Sequence, residues 1–136
     1  MSGLHERKIL HRDIKLSNFV VFRAGARIII NLADLGISVQ LKDPSYNHLE
    51  LIGTRGYMAP EMLLGSPYGL PSDVWALGVV LHTLLFNQRP FSNSDPEVSS
   101  MQIIYEPLDL TKNNNHELVS DKAKDLLHKL LTKNAT

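Results

Sequence analysis

The 136-residue chain contains no cysteine, which excludes disulfides and thiolate metal sites and suits a reducing compartment. Neither sign of charge is in excess, since 14 Lys and Arg balance 14 Asp and Glu. That balance removes the overall field used by nucleic-acid or anionic-membrane binders and leaves room only for a local charged site. Long apolar runs are missing as well. The most apolar stretch, residues 74–86, falls short of the roughly 20 residues needed to span a bilayer. The opening residues, 1–8, carry no apolar run of signal-peptide type. A soluble, intracellular and cytoplasmic protein without nucleic-acid or membrane partners is expected. No His-Glu-x-x-His or similar spacing is present, so no zinc site is expected. With 43% hydrophobic and 21% charged residues, what remains is ordinary for one globular domain with a sizeable core.

The β-branched and aromatic runs Phe19-Val20-Val21-Phe22 and Arg27-Ile28-Ile29-Ile30-Asn31-Leu32, with Ala24-Gly25-Ala26 between them, predict a short hairpin. Residues 38–47 are polar, contain Pro44 and predict a mobile surface loop. After Pro71, Ser72 is a candidate cap for a helix that opens with Asp73 and continues to Phe86. This helix is apolar nearly all round, with Trp75, Val74, Leu77, Leu81 and Leu84 as core, which predicts a central position. Residues 98–105 predict a short helix, and Lys112-Asn113-Asn114-Asn115 a polar loop. Ser120 caps a last helix with Ala123, Leu126, Leu127, Leu130 and Leu131 on one face and an Asp125–Lys129 pair on its surface. The fold class expected is mostly α with a short β-hairpin.

Four short motifs carry the chemistry. His11-Arg12-Asp13-Ile14-Lys15-Leu16-Ser17-Asn18 precedes the hairpin, and Asp34-Leu35-Gly36 follows it. Gly53-Thr54-Arg55-Gly56-Tyr57-Met58-Ala59-Pro60-Glu61 comes next, and Ser72-Asp73-Val74-Trp75-Ala76-Leu77-Gly78 opens the apolar helix. Taken singly, Asp13 and Asp34 could be turn-capping aspartates, Lys15 a solvated charge and Asp73 a helix N-terminal charge. His11 reads as a packed structural histidine.

In this order the motifs resemble the H-R-D-x-x-x-x-N catalytic loop, the D-F-G triplet, the A-P-E segment and the buried helix of eukaryotic-type serine/threonine protein kinases. The resemblance implies a partial protein kinase domain over residues 1–136: the kinase-like C-terminal lobe, without the N-terminal β lobe. It implies ATP-dependent phosphorylation of serine or threonine on a protein substrate, with ATP and Mg²⁺ as cofactors. Asp13 would receive or orient the proton of the acceptor hydroxyl, and Asn18 and Asp34 would offer hard oxygens to Mg²⁺. Lys15 would shield the transferring phosphate, and Thr54 would bond Asp13 and Lys15. Lys15 two places after Asp13, with Gly53-Thr54 before Tyr57, resembles the serine/threonine class. Leu35 replaces the usual Phe, a small change for an apolar plug.

By the same resemblance, Arg12 pairs with a phosphate on the activation segment. Glu50 stands at the commonest phosphosite and is expected to supply a permanent negative charge, with Ser45 and Tyr46 as alternative phosphosites. Asp73 is expected to bond the catalytic-loop backbone. Glu61 is expected to be buried without the arginine that the family supplies after the last helix. The last helix is also similar to that of calmodulin-dependent kinases. No Gly-x-Gly-x-x-Gly occurs in the chain, so the isolated chain is expected to be inactive and marginally stable. The rival expectation is a noncatalytic kinase-like interaction module.

Overall fold

Gly69 and Leu70-Pro71 start the longest helix, because proline at the second helical position loses no hydrogen bond and brings a helical φ. The computed structural model describes residues 2–42 and 49–133. Its elements are α1 (Ser2–His5), β1 (Ile9–Leu10), β2 (Phe19–Ala24), β3 (Arg27–Leu32), β4 (Val39–Gln40), α2 (Pro60–Leu63), α3 (Leu70–Phe86), α4 (Pro96–Tyr105) and α5 (Asp121–Leu130). Single 3-10 turns lie at Leu16–Asn18, Arg55–Tyr57, Leu110–Lys112 and His116–Leu118.

Helix α3 is the centre of the molecule. Trp75, Ala76, Val79, Val80 and Phe86 are buried, and Trp75 stacks on Phe91 with centroids 6.1 Å apart. Helix α5 crosses α3 closely at Gly78, where an added Cβ would lie 2.8–2.9 Å from Leu130 and Leu131 atoms. Only a residue without a side chain allows that approach. Leu127 of α5 is wholly buried, and burying a leucine of this kind contributes about 1.5–3 kcal/mol. Ser120 caps α5 through its hydroxyl, which accepts from the Ala123 amide at 3.4 Å, and Lys129 donates to Asp125 at 2.7 Å. Asp95 caps α4 in the same manner, so that helix begins at Pro96, two residues before the expected start.

The hairpin forms as expected, with Phe19 opposite Leu32 and Ala24 opposite Arg27 across the Gly25-Ala26 turn. The other sheet is small. β1 pairs antiparallel with β4, Leu10 opposite Val39.

Four sequence expectations are corrected. Helix α3 starts at Leu70, and the Ser72 hydroxyl donates to Glu61 Oε1 at 2.8 Å instead of capping. Leu84, assigned to the core stripe, is 64% exposed, because a 17-residue helix packed on several sides still turns one strip to solvent. The start of the 38–47 segment is ordered: β4 lies there and Leu41 is buried against Leu10. Asn113 is also not a solvated loop residue. It is buried, donates to the Leu110 carbonyl at 3.0 Å and accepts from Gln88 Nε2 at 2.5 Å, tying the end of α3 to the 3-10 turns.

Candidate active site

The loop from His11 to Asn18 is fixed from beneath by α3. Asp73, buried in the first turn of that helix, accepts from the His11 amide (2.9 Å) and the Arg12 amide (3.0 Å), and His5 Nε2 lies 3.0 Å from the same carboxylate. These bonds satisfy a carboxylate that would otherwise be very costly to bury. Arg12 takes a left-handed φ of 69°, a strained state for an arginine that the two Asp73 bonds help to hold. His11 is wholly buried; Nδ1 accepts from the Asp13 amide at 3.3 Å and Nε2 lies 3.2 Å from the Ala33 carbonyl. Those partners select the tautomer with its proton on Nε2, and the ring becomes a strut from the loop to the end of β3.

Asp13 stands at the centre. Its Oδ1 accepts from Thr54 Oγ1 at 2.6 Å and its Oδ2 from Lys15 Nζ at 2.7 Å, while Lys15 also reaches Thr54 Oγ1 at 3.2 Å. Asn18 Nδ2 donates to the Asp13 carbonyl at 2.8 Å. Partial burial works to raise the Asp13 pKa, but the Lys15 ammonium, the Thr54 hydroxyl and Asn18 together outweigh it and hold the carboxyl below its ordinary value. Asp13 in turn raises the Lys15 pKa through their hydrogen bond, against a smaller opposing effect of burial, with Asp34 adding a weaker push upward. The site is a charged carboxylate–ammonium pair with a hydroxyl across it. Each carboxylate oxygen keeps one further lone pair for an incoming donor.

Thr54 reaches Asp13 because of Gly53. That residue has φ 116°, and a Cβ there would lie 2.4 Å from the Arg12 carbonyl oxygen. A side chain at this position would push the Thr54 segment off the loop.

Asn18 and Asp34 lie at the base of the hairpin, where the Ala33 amide donates to the Asn18 carbonyl at 2.8 Å. Asn18 is buried, and because its Nδ2 is engaged with Asp13, its amide oxygen is left to accept. Asp34 is exposed, with a left-handed φ of 63°, and its Oδ1 accepts from the Gly36 amide at 3.2 Å, leaving Oδ2 unengaged among the described residues. Two hard oxygens with free lone pairs match Mg²⁺, which binds through one or two protein oxygens, waters and phosphates. Among the described residues, no three His, Cys, Asp or Glu side chains gather into an all-protein cage.

Arg12 donates through Nε to the Ile37 carbonyl at 2.6 Å and through Nη1 to Glu50 Oε2 at 3.2 Å. Ser45 and Tyr46 lie outside the described residues. Glu61 is only partly buried and is bonded by Ser72, so the expectation of a buried acid without a partner is corrected. Sequence reasoning missed Tyr68, a buried residue whose hydroxyl donates to the Glu50 carbonyl at 2.7 Å, and the bridging use of His11. Neither contact has a sequence signal, since each joins residues far apart in the chain.

A carboxylate clamped by lysine and threonine, beside an amide and a second acid at a hairpin base, defines the class. The chain belongs to the protein kinase domain family, whose model matches residues 1–136. It is similar to serine/threonine-protein kinase PLK4 of Xenopus laevis, 38% identical over 134 residues, which is 98% of this chain and 13% of that protein. It is likewise similar to the protein of that name from Drosophila persimilis, 36% identical over 130 residues, 96% of this chain and 16% of the relative. The chain thus spans about one-seventh of the length of these curated relatives. The relatives are named serine/threonine-protein kinases, and protein kinases generally use ATP and Mg²⁺. These relatives carry a different kinase name from the calmodulin-dependent group suggested by the last helix. Among the described residues, no helix is long and apolar enough to cross a membrane.

Proposed function

We propose that residues 1–136 form the helical C-terminal lobe of a protein kinase catalytic domain. Its parent protein transfers the terminal phosphoryl group of ATP to serine or threonine hydroxyls of proteins inside the cell. One observation carries this reading: the Asp13 carboxylate lies between Lys15 Nζ at 2.7 Å and Thr54 Oγ1 at 2.6 Å.

Asp13, kept ionised by those neighbours, accepts a hydrogen bond from the acceptor hydroxyl on a free lone pair and takes its proton as the oxygen attacks. Lys15 holds the carboxylate in place and sets a positive charge where the phosphoryl oxygens gain negative charge. Thr54 fixes the carboxylate rotamer from the other side. Asn18 and Asp34 would hold Mg²⁺, which neutralises phosphate charge when bound. Arg12 and Glu50 fasten the activation segment to the loop through a pair whose Glu50 side faces solvent. No glycine-rich phosphate loop lies within the 136 residues, so the chain by itself is proposed to transfer no measurable phosphate.

The test is transfer from ATP to a serine peptide by the full-length protein, with Asp13→Asn as control. Transfer lost in the control supports the reading. A second reading, a noncatalytic interaction module, draws on the exposed apolar hairpin, where Val21, Ile28 and Ile30 are each more than 60% exposed. Equal background in both proteins, with Mg²⁺ and ATP in excess, favours it.

A further inference from the structure

The face beyond Thr54 carries charge that the reaction does not use. A cleft of about 290 Å³ lies between the Arg55–Tyr57 turn and the start of α4, lined among others by Arg55, Arg89, Asn93, Ser94, Ser99 and Ser100. No acid lines it. Neither guanidinium has an ion pair or hydrogen bond among the described residues, whereas that of Arg12 has both. Of the nearest acids in sequence, Glu50 accepts from Arg12, Glu61 accepts from Ser72, and Asp95 Oδ1 accepts from the Glu97 amide at 2.8 Å.

The position of Arg89 is built into the backbone. Its guanidinium lies over Gly56, where a Cβ would be 1.6 Å from Nη1 and 2.8 Å from Cζ. Any other residue at 56 would displace it. Asn93 accepts the Asp95 amide at 3.0 Å and the Ser94 hydroxyl at 3.4 Å on its Oδ1, and its Nδ2 has no partner among the described residues. Two arginines lining one cleft without an acid repel each other, and an anion between them reverses the sign. The guanidinium fork matches the oxygens of a carboxylate or a phosphate. Since the chain has no net charge, the preference is local and not a property of the whole surface.

Arg55 follows Thr54 directly, so their Cα atoms are about 3.8 Å apart. A peptide whose hydroxyl lies at Asp13 therefore passes this cleft within a few residues. We infer that Arg55 and Arg89 form a specificity subsite for an oxyanion side group, carboxylate or phosphate, on the acceptor peptide near the phosphorylated residue. The substrate rests on the kinase reading; the anion preference rests on the cleft.

The experiment uses full-length protein and a serine peptide scanned at each position around the acceptor with Gln, Glu, Ser and phosphoserine. The expected KM for the best Glu or phosphoserine peptide is about tenfold or more below that of its neutral counterpart, as charge-assisted hydrogen bonds provide. The preference weakens with salt. In Arg55→Gln/Arg89→Gln the preference disappears while kcat on the Gln peptide is unchanged, and Arg89→Lys retains part of it. The larger gain, with Glu or with phosphoserine, identifies the group. No anionic preference in the wild type, or one that survives the double variant, overturns the inference and leaves the kinase reading standing. Should the double variant lose turnover of the Gln peptide, Arg89→Lys decides, and an undiminished preference there overturns it. If no peptide is phosphorylated, the kinase reading fails, and fluorescence anisotropy of the same labelled peptides decides the cleft. Tenfold tighter binding of the anionic peptide, lost in Arg89→Lys or the double variant, supports it; equal binding overturns it.

Discussion

The loop that carries Asp13 is suspended between two unlike supports. Below it, α3 buries Trp75, Val79 and Phe86 and presents Asp73, only 2% exposed, to the loop amides. Beyond it, the β2–β3 hairpin keeps a complete six-residue register and yet leaves most of its side chains in solvent. The first support is held by packing, the second by backbone ladder bonds. The hairpin therefore serves less as a wall of the core than as a clip, bringing Asn18 and Asp34 to adjacent backbone positions at its open end. A polar site of this kind can be positioned precisely on one side and remain accessible on the other.

The sharpest way to break this comparison is Asp13→Asn, which lies between the supports and belongs to neither. Phosphate transfer by the full-length protein should fall by about 10²–10⁴-fold, with the far-UV circular dichroism unchanged. Next is the core itself. Leu127→Ala should lower stability by about 2–5 kcal/mol in urea unfolding, since the α3–α5 contact at Gly78 has little room to collapse. A midpoint shift no larger than that of a surface substitution would erase the distinction between the supports.

His82 gives a pH-dependent version of the same test. Burial of this α3 residue pushes its pKa below the ordinary 6.5, partly offset by its bond to the Gln88 carbonyl. The unfolded ring takes up its proton near pH 6.5 and the folded ring only at lower pH. Between those values the unfolded state binds more protons, so stability falls as pH drops below about 6.5. His82→Gln should flatten that part of the urea-midpoint profile. Smallest of all, Val21→Thr or Ile28→Thr on the exposed hairpin should change stability by about 0.5 kcal/mol or less. Light scattering should show reduced association, because a polar side chain interrupts an apolar edge. A loss comparable to that of Leu127→Ala would mean the hairpin is part of the core after all.

How far the sequence could be read follows from the range of each interaction. Strands β2 and β3 and helix α5 were legible because their signals are local: β-branched runs around a glycine turn, and a serine cap before a 3.6-residue apolar pattern. The proposed catalytic residues were local in sequence: they crowd into Asp13 to Asn18, and the hairpin returns Asp34 to the same end. What could not be read depends on tertiary neighbours. Ser72 looks like a cap until Glu61 draws its hydroxyl away, and Asn113 looks solvated until Gln88 and Leu110 enclose it. Likewise, Leu41 sits in a polar stretch and is buried in the core cluster that also holds Leu10, just after β4 pairs with β1.

The Asp73 contact has a further consequence for any collection of chains sharing this architecture. A lineage that abandons phosphate chemistry gains nothing from Asp13, yet still needs an acid to anchor the amides of residues 11 and 12. Loss at position 13 with retention at position 73 would mark a retired enzyme kept as a scaffold. Loss at both would mark decay of the fold itself.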